Sequence, residues 1–218
     1  MNKIIESKNL DISQWKRKNH FDFYKNFTDP YFNLCCEIDV TNAVKFAKTQ
    51  HYSIFSTLLY LSAKACNQVT ALKLRLTKEQ GVEQFNIVHP AATLLTKDET
   101  FTFCNFLYED DLHAFVKQVE QERIKALQQQ SLSQVINRPE HIFYSVIPWL
   151  AFTGYKHASN GAGIGHPKIV FGKIQSMGEQ PLQTKSTMPV SVELHHALAD
   201  GLDVAKYIEK FQNNIDEL

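Results

Sequence analysis

Phe32-Asn33-Leu34-Cys35-Cys36-Glu37-Ile38-Asp39-Val40 alternates apolar and polar side chains with a period of two, the pattern of a strand with one buried face. The period then changes. Thr41 and Asn42 are candidate caps for a helix carrying Val44, Phe46 and Ala47, and a second helix over about 53–68 is apolar on most sides through Leu58, Leu59, Leu61, Ala65 and Cys66, which predicts deep burial. Residues 72–108 return to strand signals. Leu72, Leu74 and Leu76 alternate, Gly81 makes a turn before 82–88, and Lys97-Asp98-Glu99 joins 91–95 to 101–108, which reads as an antiparallel meander. Strands and helices therefore come in clusters, and an α+β fold is expected over a parallel doubly wound sheet.

Working outward, Asp11 or Ser13 can cap a short helix through Trp15 and His20 that carries Arg17. A helix over about 110–129 presents Leu112, Phe115, Val116, Val119 and Ile124 near helical spacing, and 128–134 is a polar loop. Further strands are expected at 141–147, 169–174 and 188–195. A last helix from about Leu202 presents Val204, Tyr207, Ile208, Phe211 and Ile215.

A length of 218 residues suits one domain over 1–218, with no Pro/Gly/Ser-rich linker to divide it. Lys and Arg total 23 against 23 for Asp and Glu, without a basic block, so no nucleic-acid partner is expected. The first residues lack an apolar secretion core, and apolar runs elsewhere are broken by Lys, Asp or His, so no membrane partner is expected either. Cys35, Cys36, Cys66 and Cys104 show no metal-like spacing and read as reduced thiols, consistent with a cytoplasmic protein.

Chemistry concentrates in Ser191-Val-Glu-Leu-His-His-Ala-Leu-Ala-Asp-Gly-Leu-Asp203. Neighbouring strand residues face opposite ways, so His195 and His196 cannot serve one cleft together. Asp200 and Gly201 fit a tight turn in which the carboxylate folds back on its own loop. The pattern is open to a catalytic histidine, a structural one, or a metal ligand; the last is the poorest fit, because no third ligand stands nearby at a suitable spacing, and no metal is expected. Asn160-Gly161-Ala162-Gly163-Ile164-Gly165 has its third glycine one residue too early for a dinucleotide fingerprint and reads as a flexible turn.

Leu194-His195-His196-Ala197-Leu198-Ala199-Asp200-Gly201 resembles the His-His-x-x-x-Asp-Gly signature of the chloramphenicol acetyltransferase family, found in looser form in dihydrolipoyl acyltransferase cores and condensation domains. Trp15 to Tyr24 is similar to that family's Trp-x-Arg-x-x-His-Phe-x-Phe-Tyr, and Ser145-Val146-Ile147-Pro148-Trp149 to its Ser-x-x-Pro-Trp. The blocks fall in the family's order over nearly the whole chain. The resemblance implies a CoA-dependent acyltransferase fold, a two-layer sandwich of a mixed, largely antiparallel sheet with helices packed on it. It also implies O-acetylation of chloramphenicol, with acetyl-CoA as co-substrate and no permanently bound cofactor.

By the same resemblance His196 is the general base, its other ring nitrogen held by the carbonyl of the same residue, and Ser145 donates to the oxyanion. Asp200 and Arg17 form a buried salt bridge that holds the catalytic loop, and His195 is packed or interfacial. Phe23, Tyr24, Phe101 and Phe103 fall where the family builds its acceptor pocket, although ordinary core packing explains them as well. Thr28, Val170 and Ser53 depart from the family's usual Leu, Thr and Lys, and Lys173 matches a lysine near the coenzyme. The resemblance further implies a homotrimer with active sites between subunits. A different hydroxyl or amine acceptor, or a catalytically silent trimeric binding protein, are the alternatives.

Overall fold

The computed structural model describes residues 4–79, 81–129, 138–158, 163–177 and 185–218. In chain order the elements are β1 (Ser7–Asn9), a 3-10 turn (Ile12–Gln14), α1 (Lys18–Tyr24), β2 (Tyr31–Asp39), α2 (Thr41–Thr49), α3 (Ile54–Gln68), a 3-10 turn (Thr70–Lys73), β3 (Leu74–Leu76), β4 (Val82–Phe85), β5 (His89–Leu95), β6 (Phe101–Asn105), α4 (Leu112–Gln129), β7 (His141–Val146), β8 (Lys168–Phe171), β9 (Gln175–Met177), β10 (Lys185–His195) and α5 (Gly201–Asp216). Of the polar loop expected over 128–134, residues 128 and 129 belong to α4 and 130–134 lie outside the described residues, as do residues 159–162.

The main sheet runs β2-β10-β8-β7-β5-β6, with β9 also paired to β10. β5 with β7 and β7 with β8 are parallel, whereas β2–β10, β10–β8 and β5–β6 are antiparallel, so the sheet is mixed and largely antiparallel. Helices cover one face. Met188, Val190, Val192 and Leu194 of β10 and Ile142 and Tyr144 of β7 point into a core shared with Leu58, Leu59 and Leu61 of α3 and Val204, Tyr207 and Phe211 of α5. Each such side chain removed from water stabilises the fold by about 1.5–3 kcal/mol before entropy is charged against it.

The opposite face of the sheet positions the functional groups. Its register places Ala91, Phe143, Lys168, Glu193 and Asn33 in one row across β5, β7, β8, β10 and β2, and Ser145, Val170, Ser191 and Cys35 in a second. Pro189 sits inside β10, an interior strand of the sheet, where the lack of an N–H would normally break the ladder. The sheet accommodates it by ending β8 at Phe171. A Cβ on Gly172 would fall 2.5 Å from Pro189 Cγ, so only glycine fits beside that ring.

The antiparallel meander expected over 72–108 is split. β5 and β6 form a hairpin in the main sheet, but β3 and β4 join β1 in a separate three-stranded sheet. β1 is exposed on every residue and has no alternation of its own to reveal it. Leu72 lies in a 3-10 turn. Arg75 occupies the outward position of the Leu74–Leu76 pattern and is nevertheless fully buried. Its guanidinium donates to the carbonyls of Leu72 (2.9 Å), Leu74 (2.7 Å), Pro139 (2.6 Å) and His141 (2.8 Å), tying β3 to the start of β7.

Two helix starts also differ. Asp11 accepts from the Ser13 N–H at 2.9 Å but caps only the first 3-10 turn, and α1 begins at Lys18. Thr41 is the first residue of α2, not its cap; its hydroxyl donates to Asp39 Oδ1 at 2.6 Å. Ser53 caps α3, its hydroxyl accepting from the Ser56 N–H at 3.4 Å. No helix among the described residues is long and apolar enough to cross a membrane.

Candidate active site

β10 carries His195 and His196 to the end of the sheet, and Ala197–Asp200 turn the chain into α5. Strand alternation separates the two imidazoles. His195 is 1% exposed, its Nδ1 accepts from the Ala197 N–H at 3.2 Å, and Tyr31 meets it edge-on at 5.2 Å. Burial, with the neighbouring His196, pushes its pKa down to about 4, so it is neutral and packed.

His196 is half-buried and held on several sides. Its backbone N–H donates to the Pro30 carbonyl at 2.8 Å, its ring stacks on Tyr24 at 4.1 Å and 7°, and Phe32 lies 4.6 Å away. Nδ1 is 3.1 Å from the Ala199 carbonyl oxygen. A carbonyl only accepts, so Nδ1 carries the hydrogen and Nε2 keeps its lone pair. The expectation that the residue's own carbonyl would hold Nδ1 is corrected here: that oxygen accepts instead from Arg17 Nη2, at 3.1 Å.

Arg17 Nη1 pairs with Asp200 Oδ2, and the two side chains are 18% and 38% exposed, so the pair is half-buried where a buried bridge was expected. Burial would raise the Asp200 carboxyl, but the Arg17 hydrogen bond and charge and the N–H groups of Leu202 and Asp203 outweigh it and hold the pKa below the usual carboxylate value. Asp200 is also the N-cap of α5. It accepts from the Leu202 N–H at 3.0 Å, while Asp203 accepts from the Asp200 N–H at 3.0 Å, a capping box.

Ser145 lies elsewhere. The pairings Ser145–Val170–Ser191 put it two strands from β10 and five residues back from His196, roughly 15–20 Å away by strand spacing. No hydrogen bond or ring contact among the described residues joins Ser145 to His196. Ser145 lines an open cavity of about 600 Å³ with Phe101, Phe103, Phe143 and Trp149. The candidate residues thus form two groups on one chain. Arg17, Tyr24, His196 and Asp200 make the first, with Phe23 (63% exposed) against Tyr24 at 4.9 Å. Ser145, Phe101 and Phe103 make the second. Thr28 is exposed on the loop between α1 and β2, and Lys173 is exposed just beyond β8, its backbone N–H bound to the Leu150 carbonyl at 2.9 Å.

The sequence reading did not find Phe32, Ala199 or Gly165. Phe32 was read only as a strand residue. Ala199 acts through its backbone, which no side-chain pattern reports. Gly165 belongs to the stretch that reads as a flexible turn, yet it has a φ of +79° and leaves no room for a Cβ beside Leu198 and His195, so only glycine fits beneath the histidine turn. Among the described residues, no group of three or more His, Cys, Asp and Glu side chains is placed to hold a metal ion.

A mixed sheet covered by helices on one face, with a histidine on the turn after an interior strand, is the coenzyme-A-dependent acyltransferase fold. The dihydrolipoamide acetyltransferase of Azotobacter vinelandii shares it, with a TM-score of 0.66 at 13% identity over 90% of this chain and 85% of that one. A solved chloramphenicol acetyltransferase superimposes with a TM-score of 0.86 at 21% identity, covering 96% of this chain and 100% of that chain. The chain belongs to the chloramphenicol acetyltransferase family, whose model matches residues 5–212. Chloramphenicol acetyltransferase 3 of Escherichia coli is 29% identical over 207 residues, 93% of this chain and 94% of the relative, and a Proteus mirabilis chloramphenicol acetyltransferase is 24% identical over 210 residues.

Proposed function

We propose that this chain is a single-domain, cytoplasmic enzyme that transfers the acetyl group of acetyl-CoA to the primary hydroxyl of chloramphenicol. The observation that carries the reading is the 3.1 Å contact between His196 Nδ1 and the Ala199 carbonyl, which leaves Nε2 as a proton acceptor. Nε2 takes the hydroxyl proton as the oxygen attacks the thioester carbonyl carbon. The resulting oxyanion accepts from the Ser145 hydroxyl, directly or through water. The C–S bond then breaks, and the proton held on His196 passes to the leaving sulfur, giving acetylated acceptor and free CoA thiol.

The separation of His196 from Ser145 supports a site completed between subunits of a homotrimer. His196, Arg17 and Asp200 come from one chain, and Ser145, Phe101 and Phe103 from its neighbour. Lys173 is assigned to the coenzyme, and Phe23, Tyr24 and Thr28 to the acceptor side of the cleft. Thiol release from acetyl-CoA with and without chloramphenicol, in wild type and His196→Ala, tests this. Drug-dependent release lost in the variant is expected, and no release from a folded wild-type oligomer overturns the acceptor assignment.

A further inference from the structure

The cavity around Ser145 is walled mainly by aromatic and aliphatic side chains, with Thr93, Glu99, Thr100, Tyr155 and His157 as further polar lining, and Lys168 is its one lysine or arginine among the described residues. Lys168 lines it together with Phe143, its neighbour across the β7–β8 ladder. Its Nζ donates to Glu193 Oε1 at 2.8 Å and stands 4.6 Å over the Tyr31 ring. Glu193, one strand further on, is 1% exposed and is capped from above by His157, whose backbone N–H donates to Oε2 at 3.2 Å and whose ring Nδ1 is 3.8 Å from Oε1. Burial would raise the Glu193 carboxyl, but His157 and Lys168 bring it down to about 2, so it is a carboxylate at neutral pH.

An ion pair so enclosed is a costly way to fill a sheet face, because two apolar side chains of similar volume would stabilise it as well or better. Its net charge is zero, so it does not attract anions. What it offers the cavity is direction. An ammonium has three donors, Glu193 takes one, and no second oxygen acceptor engages Nζ among the described residues. The Cα atoms of Lys168 and Ser145 are about 8 Å apart, one strand across and two residues along. A small aromatic molecule in the cavity can therefore meet Lys168 while its hydroxyl lies near Ser145.

We propose that Lys168, fixed by Glu193 and His157, determines acceptor specificity by donating a hydrogen bond to a neutral oxygen-bearing substituent, such as a nitro or carbonyl group, on the part of the acceptor remote from its reacting hydroxyl. This rests on the acetyl-transfer reading above and deepens it. The pair selects against acceptors that leave the donor without an oxygen to meet it.

The test compares chloramphenicol with its analogue bearing hydrogen in place of the nitro group. Wild type should favour the nitro compound about tenfold in kcat/KM, as expected for one hydrogen bond to a charged donor. Lys168→Met/Glu193→Leu removes both charges together, so neither is left unpaired. It should abolish that preference by raising KM for chloramphenicol, with KM for acetyl-CoA unmoved. Should this variant fail to fold, Lys168→Met/Glu193→Gln makes the same comparison, removing the donor at 168 while the amide at 193 keeps the shape of the carboxylate and an acceptor for the His157 N–H. Equal use of both acceptors by wild type overturns the proposal without any variant, and so does an undiminished preference in the folded double variant. Absence of thiol release with either acceptor overturns the acetyl-transfer reading itself.

Discussion

Gly165 presses directly on Leu198: a Cβ added at residue 165 would lie 2.6 Å from Leu198 Cδ1 and 3.5 Å from His195 Cβ. Leu198 belongs to the turn that supplies both Asp200 and the carbonyl orienting His196. The contact therefore joins a loop remote in sequence to the geometry of the base. Gly165→Ala meets a clash and a φ of +79° that an L side chain resists. We predict a loss of about 1–3 kcal/mol in urea unfolding, with acetyl transfer falling more than stability alone requires. A fully stable, fully active variant would show that the turn can shift freely.

The hydrogen bond from His196 Nδ1 to Ala199 predicts that His196 acts through Nε2 alone. Glutamine at 196 fills similar space and can still bond the turn, but it cannot accept a proton. His196→Gln should therefore retain its circular dichroism spectrum and oligomeric state while losing about 10²–10⁴ of the rate. A rate within threefold of wild type would remove His196 from the chemistry.

These expectations were only partly legible in the chain. β2 announced itself by its apolar–polar alternation, although on that face only Ile38 is buried, Phe32 and Cys36 are half-buried and Leu34 is exposed, and α3 announced itself because it is apolar nearly all round. The β5–β7–β8 core did not reveal its parallel pairing. His89–Leu95 is buried at five of its seven positions, including the first four in a row, so no alternation distinguishes its faces. Arg75 reads outward by period and lies inward because four backbone carbonyls solvate its charge. The His-x-x-x-Asp spacing disclosed one half of the site. The Lys168–Glu193–His157 group was missed because its members are remote in sequence and meet only through strand register.

Asp200 performs two tasks that substitution can separate. Asparagine is as good an N-cap as aspartate but lacks the charge that meets Arg17. Asp200→Asn should cost less than about 1 kcal/mol, since the lost ion pair is partly solvated. Asp200→Ala should cost about 1 kcal/mol more, the cap being lost as well. Both should slow acetyl transfer less than His196→Gln, because each acts by loosening Arg17 from the His196 carbonyl. Equal urea midpoints for the two variants would show that the cap contributes nothing.

Acid stability tests the buried histidines. Burial and the nearby His89, Arg138, His166 and Arg75 push His141 down to about 4; burial and Arg75 do the same to His166, against an opposing hydrogen bond to the Arg138 carbonyl; and His195 is also brought to about 4. Above pH 6.5 all three are neutral whether the chain is folded or not, and their contribution to stability is fully present. As pH falls from 6.5 towards 4, the unfolded chain binds protons that the folded chain refuses, so stability drops. Three such groups give a slope of up to roughly 4 kcal/mol per pH unit in mid-window, flattening below pH 4 once the folded chain also protonates. Glu193 contributes nothing to this window. Its pKa falls from 4.5 to about 2, so its stabilisation is lost only below pH 4.5. Urea midpoints measured at intervals from pH 7.5 to 4.5 should therefore stay level to about 6.5 and then decline steeply. A level profile down to pH 5 would mean that these imidazoles gain protons in the folded state as readily as in the unfolded one, and that their burial opens on acidification.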